Sequence, residues 1–437
     1  MKRLFGTDGF RGVANEDLDV VSALKMGMAI STYFKDVDGP ILIARDTRIS
    51  GETLEFALTA GVNAVGKDVI SCGVLTTPAL AILTKLRNTV GIMISASHNP
   101  PEYNGIKVMK KGYKLPDDEE ERIEDIFFSE RFDLSKWSFG RRRSSEDLKY
   151  EYFDHIERVV MKGRNLDGMR LSVDLAHGAT ISTVPEFLER MKADVEKFNL
   201  DPDGMRINVG CGSTNPEFLI RAMDKVRIGG TFDGDGDRCI MVVDGKIMDG
   251  DAIILLNAIK MKNEGTLKKN TVVFTVMTNL GIERRLKELG IDVVRTRVGD
   301  RYILNEMLKN GYNLGGEQSG HVIFLDQAPT GDGLITFLNT VLILKDDPNI
   351  IDEVSKIELF PQVRKNVKVS DKVKLVERME KDERFERIKD SINGKGRMVL
   401  RPSGTEDVVR IMVEHEEENV AREIMDEILE LVKDLDE

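Results

Sequence analysis

The sequence predicts an α/β protein of three related α/β domains with mixed or parallel sheets, followed by a smaller α+β C-terminal domain. Three observations carry that reading. Its 437 residues exceed one domain of ~100–200 residues and leave room for two to four. An apolar run, a polar loop, an amphipathic helical stripe and a second apolar run recur three times at domain spacing, which is the grammar of a βαβ unit. After Phe360-Pro361 that grammar gives way to alternating strands and a long amphipathic helix.

In the first unit Ile41 to Ala44 reads as a buried strand. Leu54, Leu58, Val62 and Val65 then recur at helical spacing before a second strand at Val69 and Ile70. The second unit runs from Leu171 to Leu175, then through the stripe Val184, Phe187, Leu188 and Met191. The third opens at Thr271 to Val276, takes Asn279 as a helix N-cap, and continues through Ile282, Leu286 and Leu289 to Val293 and Val294. In the last domain Val363 to Val369 alternates as an exposed strand, and strands follow at Met398 to Leu400 and Val408 to Val413. The closing helix aligns Val420, Ile424, Ile428, Leu431 and Leu435 on one face. Boundaries are expected in the polar stretch Ser135 to Asp147, at Asp244-Gly245 and at Asp346-Asp347-Pro348. No low-complexity linker separates the domains, so close packing is expected.

With 63 basic against 75 acidic side chains the chain carries −12 at pH 7, the wrong sign for holding nucleic acid or an anionic membrane. Any phosphate-bearing ligand must therefore be held by local positive groups. The content of 41% hydrophobic and 32% charged residues is that of a soluble globular protein. No stretch reaches ~18 apolar residues and the first residues carry no apolar leader, so neither membrane spanning nor export is expected. Cys72, Cys211 and Cys239 form no CxxC pair, which fits a reduced cytoplasm better than a disulfide framework or a zinc knuckle.

Asp233-Gly234-Asp235-Gly236-Asp237-Arg238 is the most specific local feature. Three carboxylates in five residues repel unless a cation joins them, and the glycines let the chain bend so that the oxygens converge, which points to a hard divalent ion such as Mg²⁺. An EF-hand would need Gly at Arg238 and Glu at Asp244, and helices in place of the flanking strands. The bland alternative is a solvated acidic turn.

Ser95-Ala96-Ser97-His98-Asn99-Pro100-Pro101 follows the apolar strand Val90 to Ile94, and a serine at the carboxyl end of a sheet strand stands where α/β proteins place reactive groups. GxSxG is missing, and neighbours on an extended chain point to opposite sides, so Ser97 and His98 are not expected to act as a hydrolase pair. A rigid Asn-Pro-Pro turn is the alternative. Arg401-Pro402-Ser403-Gly404-Thr405-Glu406, with Arg410 beyond it, offers guanidinium groups, hydroxyls and turn amides suited to a phosphate dianion. Gly315-Gly316-Glu317-Gln318-Ser319-Gly320-His321 brackets a carboxylate and a hydroxyl that could bind sugar hydroxyls or an amine, or simply form a surface turn.

In this order, and over essentially the whole chain, these motifs resemble the α-D-phosphohexomutase superfamily. Residues 95–100 resemble its phosphoserine loop, 233–238 its magnesium loop, 316–321 its sugar-recognition loop and 401–406 its phosphate loop. Phe5-Gly6-Thr7-Asp8-Gly9-Phe10-Arg11-Gly12, together with Arg297 to Tyr302 and Gln318, is most similar to the phosphoglucosamine mutase branch. Pro101-Glu102-Tyr103 is closer to the phosphomannomutase and phosphoglucomutase branch, and Asp407 stands where proline is frequent. The resemblance implies four domains around a central cleft: 1–140 with the phosphoserine loop, 141–244 with the metal loop, 245–355 with the sugar loop and 356–437 with the phosphate loop.

It further implies an isomerase that interconverts glucosamine 6-phosphate and glucosamine 1-phosphate, feeding UDP-N-acetylglucosamine synthesis, through phosphoserine 97 and a bisphosphorylated sugar. A hexose 1,6-bisphosphate is the implied activator. Ser97, Asp233, Asp235 and Asp237 are the implied Mg²⁺ set, with Ser97, Lys107, His321, Arg11 and Arg238 in the chemistry. Nearby cations such as Arg11 and Arg238 are expected to lower the pKa of Lys107. Glu317 and Ser319 are implied to bind the sugar, and Arg401, Ser403, Gly404, Thr405 and Arg410 the nonreacting phosphate. The implied partner is a sugar phosphate, with no nucleic acid and no membrane, and a homodimer is an open option. The competing readings are phosphomannomutase/phosphoglucomutase activity, an aspartyl-phosphate phosphatase, and a noncatalytic metal or sugar-phosphate binding protein.

Overall fold

The computed structural model describes residues 4–6, 8–392, 394–403 and 408–436. Four sheets succeed one another along these residues. The first contains β1 (Phe10–Val13), β2 (Ile41–Arg45), β3 (Val69–Val74), β4 (Val90–Ile94), β5 (Tyr103–Lys110), β6 (Tyr113–Lys114) and β7 (Arg142–Ser144). It is ordered β1-β5-β4-β2-β3-β7, with β6 added beside β5. Because β7 joins this sheet, the first domain's strands extend past the expected boundary at 140.

The second sheet is ordered β12-β11-β10-β8-β9 from β8 (Arg170–Asp174), β9 (Asp194–Phe198), β10 (Ile228–Phe232), β11 (Cys239–Val243) and β12 (Lys246–Met248). The third is ordered β14-β13-β15-β16 from β13 (Thr271–Thr275), β14 (Asp292–Thr296), β15 (Leu314–Gly316) and β16 (Val322–Phe324).

One plan underlies all three. A strand pairs in parallel with the next strand in sequence on one side and with the third on its other side, and the third pairs antiparallel with the fourth. The three expected βαβ units are the first parallel pairs of this plan. Their apolar strands are buried on both faces, as parallel sheets require: Ile41–Ala44 and every residue of Thr271–Thr275 are buried. Asn279 caps its helix as expected, its side chain accepting from the Gly281 N–H at 2.9 Å.

The fourth sheet is wholly antiparallel, β17-β19-β18, from β17 (Gln362–Lys368), β18 (Gly396–Pro402) and β19 (Val408–His415). Two helices, Lys372–Met379 and Glu383–Ser391, that the sequence reading did not anticipate connect β17 to β18. The closing helix Glu418–Leu435 buries Ile424, Met425, Ile428, Leu431 and Val432.

A single apolar cluster runs through the first three domains, uniting Leu80 and Met93 with Val173, Phe232, Phe274 and Phe337. The fourth domain has a cluster of its own around Leu375, Val409 and Ile428. Polar contacts join it to the third. Glu414 accepts from the Leu280 N–H, Asn279 exchanges hydrogen bonds with both backbone groups of Phe360, and Arg364 donates to Gln318. Among the described residues no helix is long and apolar enough to cross a membrane. The three cysteines are free and buried.

Candidate active site

The repeated plan explains where the site forms. In each of the first three domains, the connection from the third strand to the antiparallel fourth carries one of the sequence motifs. Ser97 lies between β4 and β5, the three aspartates between β10 and β11, and Glu317 to His321 between β15 and β16. These are the carboxyl ends of parallel strands, where the sheet's direction reverses and α/β folds build their clefts.

Ser97 sits at φ 53°, in the left-handed region that residues other than glycine rarely occupy. The conformation is held by its neighbours. Its N–H donates to Ser95 Oγ at 2.9 Å, and Ser95 Oγ donates to Asp46 at 2.5 Å. The buried Arg48 guanidinium, ion-paired with Asp46 at 3.0 Å, donates to the carbonyls of Ser97, Asn99, Pro100 and Tyr103. Asn208, from the second domain, donates to the carbonyls of Ser97 and Asn99 as well. The turn also corrects the extended-chain expectation, since it brings His98 Nδ1 to 3.4 Å from Ser97 Oγ. Arg238, burial and Arg11 together push that imidazole down to about 3, so the ring is neutral.

Ser97 Oγ donates to Asp233 Oδ2 at 2.7 Å. The aspartate loop that receives it is clamped by all three domains: the N–H groups of Thr77, Ala179 and Gly333 donate to the carbonyls of Asp235, Gly234 and Gly236. Its glycines are required by close approach. A Cβ on Gly234 would stand 2.5 Å from the Ser97 carbonyl oxygen, and Gly236 has φ +74° with Thr180 and Thr76 against it.

Oxygens of Asp233, Asp235 and Asp237 all lie within 4.8 Å of one another, and all three residues are buried. Burial, then Asp237 and Asp235, push Asp233 well above the usual carboxylate range. Asp235 Oδ1 and Asp237 Oδ1 are buried without a hydrogen-bond partner among the described residues. Converging, underbonded carboxylate oxygens on a bent loop suit a hard divalent cation, which a solvated turn does not explain.

Lys107 Nζ lies 2.7 Å from Asp235 and 3.1 Å from Asp8. Burial pulls its pKa down, but these two carboxylates outweigh burial and the opposing Arg11, so the net shift is upward. The expected lowering by Arg11 and Arg238 is thus overturned, because the carboxylates are in contact. Arg11 pairs with Asp8 and reaches Asn99 at 3.3 Å, while Arg238 lies 3.9 Å from both Asp233 and Asp237. On the other flank His321 Nδ1 is 3.4 Å from Asp237 and Nε2 is 3.9 Å from Asp300. Burial and a Gly331 N–H 3.3 Å from Nε2 favour the neutral ring, but Asp237, Asp300 and Glu317 prevail and raise it to about 9.

Glu317 accepts from the Gly299 N–H at 3.1 Å, and the Ser319 hydroxyl is buried with no hydrogen-bond partner among the described residues. Arg401 and Arg410 occupy facing positions on β18 and β19. Burial and Arg410 lower the pKa of Arg401, with Glu317 opposing, so Arg401 is in electrostatic reach of the sugar loop. Ser403 is buried; Gly404 and Thr405 lie outside the described residues. The structure thus brings Ser97, the three aspartates, Arg11, Lys107, Arg238, His321 and Glu317 together.

Sequence reasoning missed Arg48, Asp8, Lys114 and Asp300. Asp8 and Asp300 lay within quoted motifs without a role, and Arg48 lies three residues past the carboxyl end of a parallel strand, which was a usable signal. Lys114 carried none.

Known protein families match the chain domain by domain. The phosphoglucomutase/phosphomannomutase alpha/beta/alpha domains I, II and III match residues 2–134, 150–246 and 249–359, and that family's C-terminal domain matches 365–431. The chain is 47% identical over 436 residues to a phosphoglucosamine mutase of Thermosipho africanus, covering 99% of both chains. It is 45% identical to one of Thermotoga maritima, covering 98% of both. A phosphoglucomutase/phosphomannomutase family protein of Burkholderia thailandensis shares the fold with a TM-score of 0.84 at 23% identity, over 99% of this chain and 97% of that one. Aspergillus fumigatus N-acetylphosphoglucosamine mutase, solved with GlcNAc-6P and magnesium, superposes with a TM-score of 0.69 at 18% identity, over 100% and 96% of the two chains. With four successive domains matched in order and full-length relatives well above 40% identity, the chain belongs to the α-D-phosphohexomutase superfamily and within it is most like the phosphoglucosamine mutases.

Proposed function

We propose that the protein catalyses the phosphoglucosamine mutase reaction, interconverting glucosamine 6-phosphate and glucosamine 1-phosphate through phosphorylated Ser97 and a bisphosphorylated sugar. The observation that carries this reading is the 2.7 Å contact of Ser97 Oγ with Asp233 Oδ2, which sets a strained serine loop against a buried three-carboxylate loop. In the first half-reaction the bond from phosphorus to Ser97 Oγ breaks as one forms to the free sugar hydroxyl, whose proton passes to a nearby base. In the second, the sugar's other phosphoryl group returns to Oγ, and the isomeric monophosphate leaves. A bisphosphate that escapes leaves Ser97 bare, hence a hexose 1,6-bisphosphate as activator.

In this reading residues 1–140 carry the phosphoryl donor, 141–244 the metal loop, 245–355 the sugar loop and 356–437 the phosphate loop. Asp233, Asp235, Asp237 and Ser97 would hold Mg²⁺, which when bound neutralises phosphoryl charge. Lys107 and His321, on opposite flanks of the aspartate loop, carry protons to and from the oxygens that leave and attack, with Arg11 and Arg238 balancing charge. Glu317 and Ser319 bind sugar hydroxyls. Arg401, Ser403, Gly404, Thr405 and Arg410 hold the phosphate that is not reacting.

The test follows ³¹P NMR of glucosamine 6-phosphate with Mg²⁺ and a hexose 1,6-bisphosphate, alongside glucose 1-phosphate and mannose 1-phosphate. Fastest conversion of the glucosamine phosphate is expected. No conversion, or faster turnover of the glucose or mannose phosphate, contradicts the reading.

A further inference from the structure

Seven charged side chains close a ring around the floor of the site. Asp235 meets Lys107 at 2.7 Å, and Lys107 meets Asp8 at 3.1 Å. Asp8 pairs with Lys114, and Lys114 pairs with Asp300 at 2.5 Å. Asp300 lies 3.9 Å from His321, which lies 3.4 Å from Asp237, back in the aspartate loop. Lys107 and His321 have their own assignments above. Lys114, which among the described residues pairs with Asp8 and Asp300 but with neither the serine loop nor the aspartate loop, has none.

We propose that Lys114 is a positioning residue for the proton-transfer pair. By tying Asp8 to Asp300 it holds Lys107 and His321 in register across the seam between the first and third domains. The inference rests on the mutase reading of the site.

Three features support it. Lys114 and Lys107 belong to one rigid surface: Lys114 on β6 is the register partner of Met109 on β5, and Met109 is two residues from Lys107, so all three point to the same face of the sheet. On the other side of the seam, Asp300 opens the helix Asp300–Asn310 directly after Gly299, whose N–H is held by Glu317. The bridge therefore places the sugar loop along with His321. Finally, the seam here is not filled by side chains. A cavity of about 710 Å³ lies along it, lined by Lys114 and Asp300 with Leu115, Pro116, Tyr302 and Leu308. Where packing leaves a gap, polar bridges set the spacing: Lys114 with Asp300 at the inner end, and Arg301 with Asp117 and Glu120 farther out. Removing the ammonium would also leave two like-charged carboxylates, Asp8 and Asp300, facing each other.

The test is steady-state kinetics on glucosamine 6-phosphate with Mg²⁺ and activator, in a double-mutant cycle. Lys114→Met should lower kcat roughly 10- to 100-fold with KM within about threefold, the signature of misplaced reacting groups. Lys114→Arg, which can still bridge two carboxylates, should recover kcat to within about fivefold of wild type. In His321→Gln and Lys107→Met backgrounds the loss from Lys114→Met should shrink below about threefold, since groups acting as a unit are not additive. A full multiplicative loss in either background, an unchanged kcat, or a raised KM with kcat retained would overturn the inference. Circular dichroism and the thermal midpoint check folding. Should Lys114→Met not fold, Asp300→Ala, which removes the lysine's partner across the seam, carries the same expected cycle with Lys107→Met. A wild type without turnover counts against the mutase reading itself, whereas an active wild type with an additive cycle counts only against the role of Lys114.

Discussion

Arg401 and Arg410 stand directly opposite each other in the antiparallel pair of β18 and β19, so two guanidinium groups share one face of the fourth domain's sheet. Like charges in facing positions destabilise a sheet, and a phosphate dianion between them reverses the sign. Arg410→Ala should remove charge-assisted contacts of ~1.5–3 kcal/mol each, weakening sugar-phosphate binding roughly 10- to 100-fold. More hexose bisphosphate should escape per turnover. Isothermal titration and assay of released bisphosphate check this, and a variant that binds and converts both ligands like wild type would remove Arg410 from the clamp.

Asp235→Asn should depress phosphoryl transfer far more than sugar-phosphate binding, because it withdraws one of three converging carboxylates and loosens Lys107, which Asp235 holds at 2.7 Å. Mg²⁺ affinity is expected to fall at least tenfold, the scale on which metal-site substitutions act. Mg²⁺ titration of activity and of thermal midpoint reads both effects, and equal activity in metal-free buffer would favour the solvated-turn alternative.

Arg48 is a test of loop positioning. Its buried guanidinium serves four backbone carbonyls and Asp46, so Arg48→Ala leaves a buried carboxylate without its ion pair, a loss of about 3–5 kcal/mol. Arg48→Lys should rescue little, because an ammonium cannot copy the planar fork. Denaturant unfolding measures the stability, and kcat should fall with it as Ser97 loses its anchor.

Asp251 provides a pH signature away from the metal loop. Burial and the neighbouring Asp249 raise it to about 7, against hydrogen bonds from Thr278 and Asn279. A raised carboxyl favours the folded state when protonated, so its contribution is fully present below about pH 4 and is lost as pH rises through about 7. At ~1.4 kcal/mol per pKa unit the change is a few kcal/mol. The thermal midpoint should therefore decline between about pH 4 and 7, and Asp251→Asn should flatten that decline. The same slope in both proteins would show that another group is responsible.

Much of this was legible in the chain because it rests on local signals. Strands buried on both faces read as apolar runs, as at Ile41–Ala44, and the aspartate loop announces itself by repulsion among its own carboxylates. What was not legible depends on distance in sequence. The sign of the Lys107 shift turns on Asp8 and Asp235, remote along the chain but in contact with its ammonium. Ser97 and His98 meet in a left-handed turn that Ser95, the buried Arg48 and the remote Asn208 hold in place. The helices Lys372–Met379 and Glu383–Ser391 were missed because they bury few residues, chiefly Leu375, Met379 and Phe385, within strongly charged segments.

The central claim is that Ser97 is the phosphoryl donor. Peptide mass spectrometry of the protein incubated with a hexose 1,6-bisphosphate and Mg²⁺ tests it most directly. The expected result is one phosphoryl group on the peptide containing Ser97, lost on addition of excess glucosamine 6-phosphate, with Ser97→Ala neither labelled nor active. An active enzyme with no phosphate on Ser97, or a Ser97→Ala variant with normal turnover, would contradict it.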